Sequence, residues 1–350
     1  MSPEPLPSPF PIIAITLLLG LVLVVAARRA GSRRVLRGVL LMAGALLLLV
    51  GVLETLAYRF GDHSDNNNRT FASRLWHERH WKPINSLGFR DVEHAGEDHA
   101  GKRVLFVVGD SFMAGQGIDD AEDRCVDMLR EQLGDGWSVI LVAKPGWHTV
   151  NELEAIDGVI EQFGVRPDAV VLGYVLNDIV YADALRGSTE LPEIPETVQL
   201  PESGVWGWLA ARSYLFNDLA WQVMLDDSQH STEQVSWQAI ADTYAEPGVW
   251  DRHAEDLHAL VDRCRALGAR LTVLVFPNLS DIEMTRDAAS RVAGFFREQG
   301  VDAIDLSERF TDSEGTGITV SAHDGHPSPA VHGLLSELLF PLIESPDADG

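Results

Sequence analysis

The sequence predicts a three-layer α/β/α domain built on a parallel sheet and preceded by two transmembrane helices. Three observations predict it. Two long apolar runs are confined to the first sixty residues, strand-length apolar runs recur from Lys102 onward, and amphipathic helical stretches alternate with those runs. Strands apolar on both faces, separated by helices, imply parallel pairing under helical layers.

The membrane end comes first. Phe10–Ala27 is an uncharged apolar run, and a second run covers about 38–58, interrupted near its end by Glu54 and Thr55. Roughly 20 helical residues cross a hydrocarbon core of about 30 Å, so both runs are read as spanning helices. A cleaved signal peptide carries a basic segment ahead of its apolar core. Met1–Pro9 instead offers Glu4 and no Lys or Arg. Arg28, Arg29, Arg33, Arg34 and Arg37 lie between the runs with no acidic residue among them. Arginine-rich short loops stay cytoplasmic. The expectation is therefore a hairpin in the cell membrane with its loop inside, and both termini and everything after Arg59 extracytoplasmic. The lipid bilayer is the expected partner of residues 1–60.

Composition narrows the remaining partners. The chain has 350 residues and a formal net charge of −25. Such a surface is self-repelling and soluble, and it repels phosphate backbones, so nucleic acid is excluded as an expected partner. The two cysteines, Cys125 and Cys264, each lie on a helical stretch and are read as buried thiols, although an extracytoplasmic site would permit a disulfide. No C-x-x-C or H-E-x-x-H motif occurs, and Gly115-Gln116-Gly117 is followed by Ile118-Asp119-Asp120 rather than by a dinucleotide fingerprint. No metal and no cofactor is expected.

Residues 61–101 form a polar, weakly periodic linker that ends in a docking segment around Trp76, Trp81 and Phe89. The α/β rhythm then runs over 102–345. Strands are expected at Val104–Val108, Ser138–Ala143, Ala169–Leu172, Leu271–Phe276 and Ala303–Leu306. Helices are expected at Ala121–Leu133, Val150–Phe163, Asp251–Leu267, Ala288–Gln299 and Ala330–Leu339. An insertion at about 183–247 breaks the rhythm. It is rich in Pro and Glu through Ser203, and then carries Trp206, Trp208, Tyr214, Phe216, Trp221 and Trp237 on helical spacing. It is either a lid, or a segment whose aromatics make a small core of their own.

In a parallel sheet, ligands bind beyond the carboxyl ends of the strands. Four short segments fall there. Gly109-Asp110-Ser111-Phe112 follows the first strand, Lys144-Pro145-Gly146-Trp147 the second, and Gly173-Tyr174-Val175-Leu176-Asn177-Asp178 the third. Asp324-Gly325-His326-Pro327-Ser328 precedes the last helix. A serine alcohol needs a neighbouring base to become a nucleophile, and the tetrahedral intermediate needs donors aimed at its oxygen. Asp110 and Asp178 are read as structural, bonding loop amides. His148 and His332 are read as rim or helix-surface residues.

In order and spacing these segments resemble the four signature blocks of the SGNH/GDSL hydrolases, over roughly Lys102 to Pro341 apart from the insertion. Asn85-Ser86-Leu87-Gly88-Phe89-Arg90-Asp91 also looks like a segment that precedes the serine block in membrane-anchored bacterial members. The resemblance implies a flavodoxin-like three-layer SGNH domain. It implies Ser111 as nucleophile and His326 as base, with the Ser111 and Gly146 amides and the Asn177 side chain as the oxyanion hole. That family places the acid three residues before the histidine, where this chain has His323; Asp324, two before, either takes that role as a variant or holds the loop while His326 works with Ser111 in a dyad.

The function that follows is a serine esterase or deacylase working through an acyl-serine on oxygen esters. Its expected partner is an ester-bearing small molecule or a cell-envelope glycan or lipid. An extracytoplasmic polysaccharide O-acyltransferase uses the same site with a sugar hydroxyl in place of water. A non-catalytic polysaccharide-binding module is the rival from another class, and it has no need of Ser111, Asn177 and His326 together.

Overall fold

The computed structural model describes residues 5–65, 70–180, 203–310 and 317–344, without the side chains of 224–236. The chain divides into two units, Met1–Glu78 with Glu196–Ser231, and Arg79–Pro195 with Thr232–Gly350.

The first unit holds the two apolar helices, Phe10–Arg29 and Arg34–Phe60, each long and apolar enough to cross a membrane. They pack through small residues. A Cβ on Gly20 would lie 2.9 Å from the Gly44 carbonyl oxygen, and one on Gly51 would lie 2.7 Å from Thr16 Oγ1. Backbones approach this closely only where side chains are absent, which is how helices associate without a solvent-driven contribution.

Beyond them the polar stretch is more ordered than its weak periodicity suggests. Phe71–His80 is a helix, with Thr70 capping it by accepting the Ser73 amide at 3.0 Å. The Pro/Glu-rich part of the expected insertion, up to 202, lies outside the described residues. Its remainder forms the helices Gly204–Ala210 and Tyr214–Ala245. The aromatics there do not make a separate core. Tyr214 is buried with Phe71 and Leu75 against Leu6, Ala57 and Tyr58. Trp206 and Trp208 stay 62% and 48% exposed. Helical spacing shows which residues share a face, but not that the apolar partner is the end of a helix about 150 residues earlier.

The second unit carries a five-stranded parallel sheet: β1 Arg103–Gly109, β2 Trp137–Ala143, β3 Ala169–Val175, β4 Arg270–Phe276 and β5 Asp302–Asp305, in the order β2-β1-β3-β4-β5. Alternate strand residues, among them Phe106, Val142, Leu172 and Val273, pack under helices Thr149–Phe163, Pro247–Leu267 and Ile282–Glu298. The other face is covered by Cys125–Leu133 and Pro329–Glu344. These three layers match the expectation, with strand ends shifted by at most three residues. Two helices start earlier than their apolar periodicity implied, at Pro247 and at Ile282 after its cap Asp281. A short antiparallel pair, β6 Thr319–Ser321 and β7 Asp324–Pro327, precedes the last helix.

Candidate active site

The sheet register sets the site. Gly109 at the end of β1 pairs with Ala143 at the end of β2 and with Gly173 of β3, which runs two residues further to Val175, so the loops after the three strands share one rim. The glycines at this level are steric necessities. A Cβ on Gly109 would stand 2.6 Å from Met113 Cγ, and one on Gly173 2.2 Å from the same atom. Met113 belongs to the one-turn helix Ser111–Ala114, which the two glycines let sit directly on the sheet edge.

Ser111 opens that turn and Asp110 caps it, its carboxylate accepting the Phe112 amide at 2.8 Å. Burial pushes the Asp110 carboxyl up to about 6, against the opposing effect of that amide. On β7, the imidazole of His326 reaches Ser111 Oγ with Nε2 at 2.8 Å and Asp324 Oδ1 with Nδ1 at 2.5 Å. A carboxylate can only accept, so Nδ1 carries the proton and Nε2 is left to take the one from serine. All three side chains are buried, and the Phe112 ring meets His326 edge-on at 5.2 Å. The two-residue spacing between acid and base has a physical reason. Residues i and i+2 of a strand point to the same face, and Asp324 and His326 are two apart on β7. The backbone amide of His326 also donates to Asp324 Oδ1 at 3.1 Å, which fixes the acid in place.

Gly146 sits in the turn after β2 with φ of +76°, a conformation that favours glycine. Asn177 lies half-buried in the turn after β3. Thus Ser111, His326 and Asp324 form one hydrogen-bonded chain, while Gly146 and Asn177 are placed on the same rim without bonding to it. Asp178 is structural, as expected: its carboxylate accepts the Thr149 amide at 3.1 Å and the Thr149 hydroxyl at 2.9 Å, tying the third loop to the helix after the second. Burial raises the pKa of Asp178 and of neighbouring Glu152 well above the usual carboxylate range.

Several residues that hold the rim were not singled out from the sequence. Arg90, fully buried, donates to the Gly115 and Ile118 carbonyls at 2.5 and 2.7 Å. Arg124 in turn donates to the Arg90 carbonyl at 2.5 Å. Burial, then the neighbouring Arg124 charge, lowers the Arg90 pKa to about 9. Lys144 donates to the Leu87 carbonyl at 2.7 Å beneath Phe89 and Trp147. The Asn85–Asp91 segment therefore braces both the serine loop and the glycine loop. Tyr244 donates to the Leu176 carbonyl at 2.8 Å, beside Asn177. The only prior signal for these was the resemblance of Asn85–Asp91 to a family segment.

His148 lies in the rim loop after β2, where it is buried. The helix-surface reading of His332 is corrected: it is buried, and its Nδ1 accepts the Cys125 amide at 3.2 Å. Burial holds the His332 pKa down to about 3, so it stays neutral. Cys125 and Cys264 are free buried thiols, both with pKa raised by burial.

The sequence profile of GDSL-like lipases and acylhydrolases matches residues 107–334, more than half of the chain. No curated protein matches it in sequence. Among solved structures, it is similar to the psychrotrophic esterase EstA from Pseudoalteromonas sp., at 14% identity over 69% of this chain and 97% of that one, with a TM-score of 0.36. It is also similar to the lipase/acylhydrolase from Enterococcus faecalis, at 15% identity over 69% and 95% of the two chains, with a TM-score of 0.40. On the match of its sequence to the family profile, this chain belongs to the GDSL-like lipase/acylhydrolase family.

Proposed function

We propose that the chain is a membrane-anchored serine esterase that cleaves oxygen esters through an acyl-Ser111 intermediate. The observation that carries the proposal is the chain of bonds from Ser111 Oγ through His326 to Asp324, at 2.8 and 2.5 Å. Ser111 Oγ attacks the ester carbonyl as His326 Nε2 takes its proton, and the resulting oxyanion is held by the Ser111 and Gly146 amides and the Asn177 side chain. Collapse expels the alcohol, which leaves with the proton from Nε2. Water, deprotonated by the same imidazole, then releases the acid and restores Ser111. Asp324 keeps Nδ1 protonated and the ring oriented throughout.

The membrane part of the proposal has its own support. The close contacts at Gly20, Gly44 and Gly51 make the two apolar helices a packed pair, and the Tyr214 hydroxyl donates to the Pro7 carbonyl at 2.8 Å. Both features favour a first helix that is kept rather than cleaved. With the five arginines at the turn and the helix ends flanking it inside, the catalytic unit is extracytoplasmic, and cell-envelope glycans or lipids are its substrates.

The full-length protein in detergent should release p-nitrophenol from short-chain p-nitrophenyl esters, and Ser111→Ala should abolish the release. Turnover that survives in Ser111→Ala would overturn the proposed mechanism. An acetylated sugar appearing when a glycan is added would mark the transferase instead. For topology, alkaline phosphatase fused after Gly61 should be active; an inactive fusion would place the unit inside.

A further inference from the structure

We propose that Gly204–Val223 is a second membrane contact, lying among the lipid headgroups of the outer leaflet beside the hairpin; this rests on the hairpin spanning a bilayer. The segment presents an apolar patch that no described residue covers. Val205, Trp206, Leu219 and Val223 are 71%, 62%, 49% and 78% exposed. Trp206 stacks on Phe216 at 5.6 Å, and Phe216, Leu219 and Val223 follow at helical spacing, so the apolar groups form one stripe. On an adjacent face Gln222 donates to Asp218 at 3.0 Å. A contiguous apolar stripe beside a polar face marks an interaction surface.

Its position along the hairpin identifies the partner as lipid. Glu54 lies one residue beyond the charge-free run Gly38–Leu53, which at 1.5 Å per residue is about 24 Å long. This carboxylate is wholly buried, and a charge at such a depth persists only with partners. The partners come from this segment. Glu54 accepts the Ser213 hydroxyl at 2.7 Å and the Tyr214 and Leu215 amides at 2.7 and 3.1 Å. It thus caps the amino end of the helix Tyr214–Ala245, where orphan amides and the helix dipole favour an anion. The Tyr214 hydroxyl bonds Pro7, three residues before the first apolar helix begins. Both tethers lie at the hairpin end opposite the arginine turn. Asn217 donates to the Ala210 carbonyl at 3.0 Å and accepts the Phe71 amide at 2.9 Å, so the short tryptophan-bearing helix is held at that level.

The chemistry suits that depth. Indole rings concentrate where one side is apolar and the other wet. The Arg212 guanidinium lies 5.5 Å from the Trp208 ring, where it can extend toward lipid phosphates.

Nitroxide labels report depth directly. Full-length protein carrying Val205→Cys, Met42→Cys or Glu161→Cys is labelled and reconstituted in phosphatidylcholine vesicles; Cys125 and Cys264 are each 1% exposed and will not compete. Relaxation by oxygen against a water-soluble nickel chelate should place Met42 in hydrocarbon and Glu161 in water. Val205 should lie about 5–10 Å below the phosphates, with an oxygen-to-nickel ratio roughly tenfold above that of Glu161. A Val205 ratio equal to that of Glu161, with Met42 in lipid, would overturn the proposal and leave the hairpin standing. A label on Met42 that reads as aqueous would overturn the hairpin and the proposal with it.

Discussion

Two buried carboxylates hold the two units of this molecule in opposite ways. Asp324 bonds an imidazole two residues away on its own strand, and the pair is completed by a serine from the facing loop. Among the described residues, Glu54 bonds groups about 160 residues away and caps a helix that begins there. In the proposed mechanism the first carboxylate serves chemistry, because its neighbour must carry a proton and keep one orientation. The second serves attachment, because it fastens a distant segment to the end of an apolar helix. Burial and hydrogen bonding alone therefore do not mark a functional carboxylate. What the partner can do with a proton does.

That comparison can be broken by substitution. The largest effect belongs to the rim: Ser111→Ala or His326→Ala should lower kcat by at least about 10³-fold with little change in melting temperature. Asn177→Ala should lower it on the order of 10²-fold through loss of one oxyanion donor. An Asn177→Ala enzyme at full rate would remove that residue from the mechanism. Glu54→Ala should show the reverse pattern. It leaves a hydroxyl and two amides unpaired, so thermal or denaturant unfolding should register a loss on the order of 3 kcal/mol, while the reactivity of Ser111 persists. If Glu54→Ala leaves stability unchanged, the carboxylate is not a fastener.

The smallest effect is a matter of pH. Burial raises the Asp110 carboxyl to about 6 in the folded protein from an ordinary value near 3.8. Its contribution to stability is therefore full below about 3.8 and is lost as pH rises through 6. Asp110→Asn removes that loss but keeps an oxygen for the Phe112 amide. Relative to the parent protein it should gain stability between pH 4 and 6, by on the order of 1–3 kcal/mol, and hold that gain above. A difference that does not vary with pH would show that Asp110 ionises normally.

The rim was legible in the sequence because its parts are short and local. Gly109, Gly146 and Gly173 stand at strand ends, and Ser111 and His326 lie within a few residues of element boundaries that apolar patterning exposes. The variant acid Asp324 was also within reach, since alternation along a strand needs only two residues. What was not legible depends on partners far off in the chain. The burial of Arg90 beneath the serine loop, the docking of Tyr244 beside Asn177 and the capping of a helix by Glu54 each join segments that patterning treats separately. The same holds for His332, whose helix has a buried face that its spacing does not distinguish from a surface one.

An activated Ser111 nucleophile is tested directly by treating the full-length protein with a fluorophosphonate and mapping the modified peptide. A single adduct on Ser111 is expected, absent from Ser111→Ala and from His326→Ala. A folded protein that takes no label, or takes it on another serine, would contradict it.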